Sequence, residues 1–133
     1  MSQSAFEPLK RPPKAPTWLA AEGKALWRRP APRLATARLL TAENLPSLEA
    51  LCSIYATARQ ADAILQRDGL TMTVGENGYI QQRPEVSISH KHWALFRQYG
   101  DAFGLSPAGA RRLGLEIPID DEDDEFTGFI STV

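Results

Sequence analysis

The longest periodic run of apolar positions lies between Ala42 and Asp68 and predicts the principal helix of the chain. Leu48, Leu51, Tyr55, Ala58 and Leu65 form one stripe, with Leu51, Ile54, Ala58, Ala61 and Ile64 beside it. A helix resting on one small core needs a stripe of only about 100°, and this one is broader. The breadth predicts either a central place in the domain or a second face turned to another subunit, and the pattern alone does not choose. Thr41 stands where an N-cap belongs, with Glu43 in the first turn, where a carboxylate suits the helix dipole. Gly69 stands at the natural C-terminal stop.

After Gly69 the period changes. Leu70–Val74 is rich in β-branched residues, Glu76-Asn77-Gly78 reads as a turn, and Tyr79–Gln81 follows, which predicts a β-hairpin. A lone hairpin is marginal in water, so it is expected to lean on the helices or on a neighbouring chain. Pro84 opens a second long helix from about Glu85 to Phe103, ended by Gly104. Its apolar residues also fall on two lines, Val86, Trp93, Phe96 and Phe103 on one, Ile88, Leu95, Tyr99 and Ala102 on the other. Ser106-Pro107 caps and starts a short helix through Leu113, stopped by Gly114 and Pro118. Upstream, Thr17 reads as the N-cap of a short helix to Trp27 whose apolar face carries Trp18, Leu19, Leu26 and Trp27. Pro30 and Pro32 read as its end, and residues 30–40 as a proline-containing link.

The expected fold is mainly α: a short N-terminal helix, two long antiparallel helices with a β-hairpin between them, a short C-terminal helix, and disordered tails. Four prolines among the first sixteen residues predict an extended, mobile arm over 1–16. Residues 17–115 form the helical domain. Residues 116–133 form a tail in which Asp120, Asp121, Glu122, Asp123, Asp124 and Glu125 run consecutively and are expected to stay solvated.

Charge sharpens this division. Residues 1–40 hold eight Lys or Arg and two acids, residues 41–115 hold seven of each, and residues 116–133 hold seven acids and no base. The formal net charge of −1 thus conceals balances of +6, 0 and −7. Such asymmetry points to nucleic acid or another charged partner rather than to a small-molecule substrate. The basic residues Lys10, Arg11, Lys14, Lys24, Arg28, Arg29, Arg33 and Arg38 are the candidate phosphate contacts. A merely solubilising surface is the plainer alternative.

Catalytic chemistry finds little support. The single cysteine, Cys52, excludes an intrachain disulfide, fits a reducing compartment, and sits among apolar neighbours as a small hydrophobe. His90 and His92 point to opposite sides of a helix and with one cysteine make no zinc set. The acidic run lacks the glycine and ligand spacing of a Ca²⁺ loop. There is no glycine-rich phosphate loop, nucleophile elbow or paired catalytic carboxylates, so neither an enzyme nor a cofactor is expected. No segment approaches the roughly 20 apolar residues of a membrane span, and the N-terminus lacks a signal-peptide h-region, so a soluble intracellular protein is expected. The helices meeting at Phe103–Pro107 suggest a helix-turn-helix only weakly, because the second is too short for recognition.

The order of parts resembles the small terminase subunit of tailed double-stranded-DNA phages, in the branch without an obvious N-terminal helix-turn-helix. The resemblance runs over roughly residues 12–113, from the Trp-containing first helix to Leu39-Leu40-Thr41, the Leu51-Cys52 and Tyr55-Ala56 helix, the Gly69-Leu70 hairpin and the Pro84 helix start. Its most specific piece is Phe103-Gly104-Leu105-Ser106-Pro107, followed by Arg111-Arg112-Leu113. The chain departs from the family pattern at Ala108-Gly109-Ala110, where a polar pair and an arginine are usual, and at Arg83, where asparagine is usual. The resemblance implies a non-catalytic homo-oligomeric ring in the host cytoplasm. Such a ring binds double-stranded viral DNA and passes it to the large terminase subunit, which holds the ATPase and nuclease. Leu51, Ile54, Tyr55, Ala58, Ile64, Tyr79, Trp93 and Phe96 are then the expected ring contacts. Phe126, Phe129 and Ile130, after the acidic run, are the expected docking residues for the large subunit, with a solubilising tail as the alternative. A DNA-binding transcriptional regulator and a helical adaptor that does not touch DNA are the rival readings.

Overall fold

The computed structural model describes residues 7–115 of the chain. Its elements run α1 (Ala21–Trp27), α2 (Pro30–Thr36), α3 (Leu45–Asp68), β1 (Thr71–Val74), β2 (Tyr79–Gln82), α4 (Pro84–Ala102) and α5 (Pro107–Arg112). The mainly helical plan, with a hairpin between two long helices, is the one the pattern predicts. One helix is additional.

That helix is α2, which occupies the expected link. Proline is excluded from helix interiors because it lacks an N–H and clashes with the carbonyl four residues back, but neither penalty applies in the first turn. Pro30 and Pro32 both fall in that turn, and Ala31, Leu34 and Ala35 are buried beneath them. The helix ends in a Schellman arrangement, with Leu39 N–H donating to the Leu34 carbonyl at 2.9 Å and Arg38 N–H to that of Ala35 at 3.0 Å. The left-handed position, usually glycine, holds Arg38 at φ 61°.

Helix α1 also begins later than expected. Leu19 N–H donates to the Pro16 carbonyl at 3.2 Å, closing a turn, and the N-cap is Ala20, which makes no side-chain cap. Thr17 therefore caps nothing, and Trp18 is 62% exposed while Leu19 and Trp27 are buried.

Thr41 does anchor α3. Its N–H donates to Asn44 Oδ1 at 2.8 Å, and its Oγ1 accepts from Asn44 N–H at 3.2 Å, the reciprocal pairing of a capping box. Regular helix starts at Leu45 and stops at Gly69, whose φ is 87°. The wide stripe is explained by packing on two sides, α1 along one and α4 along the other. Leu48, Leu51, Cys52 and Ala58 are fully buried. At the α1 crossing, Gly23 faces the Cys52 carbonyl so closely that an added Cβ would lie 2.9 Å from that oxygen.

Helix α4 returns antiparallel to α3. Asp62 accepts from Ser89 Oγ and, at 2.8 Å, from Trp93 Nε1. Tyr55, Trp93 and Phe96 pack with ring centroids 5.8, 5.5 and 5.6 Å apart. Between the helices, Thr71 pairs with Gln82 and Val74 with Tyr79 around a four-residue Gly75–Gly78 loop. The hairpin stands off the core, with Met72 the only half-buried residue of its strands.

The described part of the N-terminal arm is extended, as its prolines require, yet it is tied to the domain rather than free. Pro8 pairs with Thr41, Leu9 N–H donates to the Leu40 carbonyl at 2.8 Å, and Trp27 Nε1 donates to the Pro13 carbonyl at 2.9 Å. Arm, α1 and α2 thus make one layer over the core of Leu19, Trp27, Leu34, Leu40, Leu48 and Leu51.

Candidate nucleic-acid interface

The eight predicted phosphate contacts all belong to this layer. Lys10, Arg11 and Lys14 lie on the arm, Lys24 in α1, Arg28 and Arg29 between α1 and α2, Arg33 in α2, and Arg38 at its end. All are exposed except Lys24, which is half-buried. The ion pairs among the described residues are Arg67–Asp68 at 2.9 Å and Arg112–Asp101 at 2.7 Å, and neither uses any of the eight. Glu22, the acid of α1, instead accepts from Gln60 of α3 at 3.3 Å. Helix-dipole compensation accounts for Lys24 and Arg33, which sit in last turns. It does not account for the three cations of the arm.

The fold brings some of these residues together in pairs. Lys10 and Arg38 line one concavity with Glu7, Pro8 and Leu9. Arg29 and Arg33 line another, a groove of about 370 Å³ between the basic layer and the α4–α5 end. Its apolar walls include Leu26, Leu34, Phe96, Phe103 and Leu115. An adjoining hollow of about 330 Å³ is lined by Phe96, Gly100, Leu105 and a further cation, Arg97. Arg97 lies in the charge-balanced middle of the sequence, and only the α4 backbone path carries it to this end.

The α4–α5 elbow that closes the groove is firmly built. Ser106 Oγ accepts from Gly109 N–H at 2.9 Å and donates to the Asp101 carboxylate, which also accepts from Arg112 at 2.7 Å. These bonds, Ser106 first and Arg112 next, hold the Asp101 carboxyl below its ordinary pKa. A Cβ at Gly109 would overlap the Asp101 carbonyl oxygen. Helix α5 spans only six residues, one side of it committed to this elbow, so the pair offers no recognition helix. A Schellman arrangement ends α5 as well, with Leu115 N–H donating to the Ala110 carbonyl at 2.8 Å and Gly114 N–H to that of Arg111 at 3.1 Å.

The expected ring contacts divide. Leu51 and Ala58 are both at 0% exposure and serve this chain's own interior, because α1 and α4 cover α3 from either side. Tyr55, Trp93 and Phe96 are half-buried against one another, Ile54 and Ile64 are half-buried on α3, and Tyr79 is 70% exposed. Ile80, which the sequence reading passed over, is 73% exposed beside it. Phe126, Phe129 and Ile130 lie outside the described residues. The Cys52 thiol is buried, and burial pushes its pKa up to about 12, the behaviour of a packed hydrophobe. His90 is exposed, and His92 Nδ1 contacts the Ile88 carbonyl of its own helix at 2.8 Å.

The family described as phage terminase, small subunit, matches residues 23–118, well over half of the chain. The chain belongs to that family. No curated protein and no solved structure gives a significant match. Terminase small subunits serve the packaging of phage DNA in the host cell, alongside the large terminase subunit. The matched segment of this small subunit runs from Gly23 in α1 through α5 and includes the groove. It leaves the whole arm, with Lys10, Arg11 and Lys14, and nearly all of the acidic tail outside. Among the described residues no helix is long and apolar enough to cross a membrane.

Proposed function

We propose that this chain is the non-catalytic, DNA-engaging component of a phage packaging machine, a ring that grips double-stranded viral DNA and delivers it to the large terminase. The observation that carries this reading is the basic layer: eight cations, none paired with a carboxylate among the described residues, in a member of the terminase small subunit family. Phosphate neutralisation needs such a surface and no base-reading element. Ring contacts are assigned to Tyr79, Ile54, Ile64 and the outward edges of Tyr55, Trp93 and Phe96. Repetition around a ring multiplies a weak site on each copy into a firm grip. Phe126, Phe129 and Ile130 are assigned to the large subunit, where an acidic segment followed by apolar residues folds on binding.

The test is a salt titration of duplex-DNA binding for a variant with Arg28, Arg29, Arg33 and Arg38 each replaced by glutamine. Each lost phosphate contact should lower the magnitude of the log K against log salt slope by about 0.9. Unchanged affinity and slope would remove the basic layer from the interface.

A further inference from the structure

The groove between the basic layer and the α4–α5 elbow is where the described chain ends. Leu115, its last residue, lines the same groove as Arg29 and Arg33, and the Schellman bonds of α5 fix its position there. The sequence then continues Glu116-Ile117-Pro118-Ile119 into the acidic run Asp120–Glu125. Leu115, Ile117 and Ile119 alternate with Glu116 and Pro118 along the sequence, so apolar residues lead from the groove to the acidic run. The five-residue step from Leu115 to Asp120 reaches at most about 17 Å. Glu116 follows Leu115 directly, and the acidic run thus begins within a short tether of arginines that have no carboxylate partner among the described residues.

We infer that the chain's own segment 116–125 docks on this surface, its isoleucines along the apolar groove and its carboxylates on Arg29, Arg33 and their basic neighbours, so that the tail occupies the phosphate-binding layer in place of DNA. The inference rests on the DNA reading proposed above and adds regulation to it. Three observations support it together: an apolar groove lined also by two arginines, Leu115 held in that groove by the bonds that end α5, and six consecutive acids that begin five residues later in the sequence. Tethering raises the local concentration of the acidic run to the millimolar range for so short a connection. DNA must then displace the tail. Capture of Phe126, Phe129 and Ile130 by the large subunit would draw the acidic run away and uncover the arginines at the moment of hand-over.

The experiment uses the full chain in two parts. In the first, Asp120, Asp121, Asp123 and Asp124 are replaced by asparagine and Glu122 and Glu125 by glutamine, and duplex-DNA affinity is compared with that of the unaltered protein. Affinity at about 50 mM salt should rise by about tenfold or more, with the gap closing towards about 200 mM as the tail's own ion pairs are screened. In the second, the Arg33→Cys/Asp121→Cys double variant is oxidised without DNA. An intrachain disulfide, seen as a fast-migrating monomer on a denaturing gel and suppressed by high salt, is expected; buried Cys52 does not compete. A disulfide-linked dimer would assign the groove to a neighbouring copy's tail and overturn the inference, as would no crosslink at all. If the crosslink forms but neither protein binds DNA, the DNA reading itself fails. If both bind DNA equally and no crosslink forms, that reading stands and the tail inference falls.

Discussion

Arg38 is held in the left-handed region at φ 61°, at the position where α2 closes and where glycine is the ordinary residue. A side chain there costs about 1–2 kcal/mol, partly offset by the freedom that a glycine would lose on folding. Arg38→Gly should therefore raise stability by about 0.5–1 kcal/mol in urea unfolding while weakening DNA binding. A gain in stability with no loss of affinity would mark Arg38 as a tolerated misfit and not a contact. Cys52 gives a second prediction at this scale. Its thiol keeps its proton to about 12, against an ordinary value of 9.0, because burial disfavours the thiolate. Between those values the unfolded chain has released a proton that the native state retains, so the unfolded state binds fewer protons and stability falls as pH rises. The stabilisation is complete below the unfolded value and disappears towards the native one. Denaturant midpoints taken upward from about pH 9 should decline more steeply for the natural chain than for Cys52→Ala, by at most about 1.4 kcal/mol per pH unit.

Two glycines separate the demands of propensity from those of packing at the scale of elements. A Cβ at Gly100 of α4 would make ordinary contact with Leu105 at 3.6 Å, whereas one at Gly23 of α1 would press on the Cys52 carbonyl at 2.9 Å. Gly100→Ala should gain up to about 1 kcal/mol from helix propensity. Gly23→Ala should lose about 1–3 kcal/mol by forcing α1 off α3. Equal effects in thermal unfolding would refute the crossing. The same contrast explains what the sequence reveals of the elements. Gly69, Gly104 and Gly114 announce three helix ends because each adopts positive φ, and all three ends are found there. The end of α2 is silent because an arginine takes that place. Its beginning is masked because Pro30 and Pro32 look like breakers unless both are counted into the first turn. Likewise the breadth of the α3 stripe is legible but its cause is not, since periodicity records which residues are buried and not what buries them. The basic candidates were legible from composition, whereas the groove joining Arg29 and Arg33 to Leu115 depends on the elbow and has no linear trace.

For the whole molecule, the hairpin is the part least supported by its own chain. Tyr79 and Ile80 are exposed by more than two thirds, and the two strands bury little against the helices. Replacing both with glutamate should leave the folded single chain intact, because neither side chain belongs to its core. The same change should reduce the proposed ring to small species in native mass spectrometry, and an unaltered assembly would clear the hairpin of that role. The proposed assembly would also give the Gly23 crossing a mechanical meaning. There the backbone of the basic layer meets the Cys52 carbonyl of α3 closely, with the Leu19 side chain packed beside the contact. Tightly packed interiors pass strain on rather than absorb it. In the proposed ring, tension in a bound duplex would therefore reach the wall with little slack, and this contact would act as a stiff coupling.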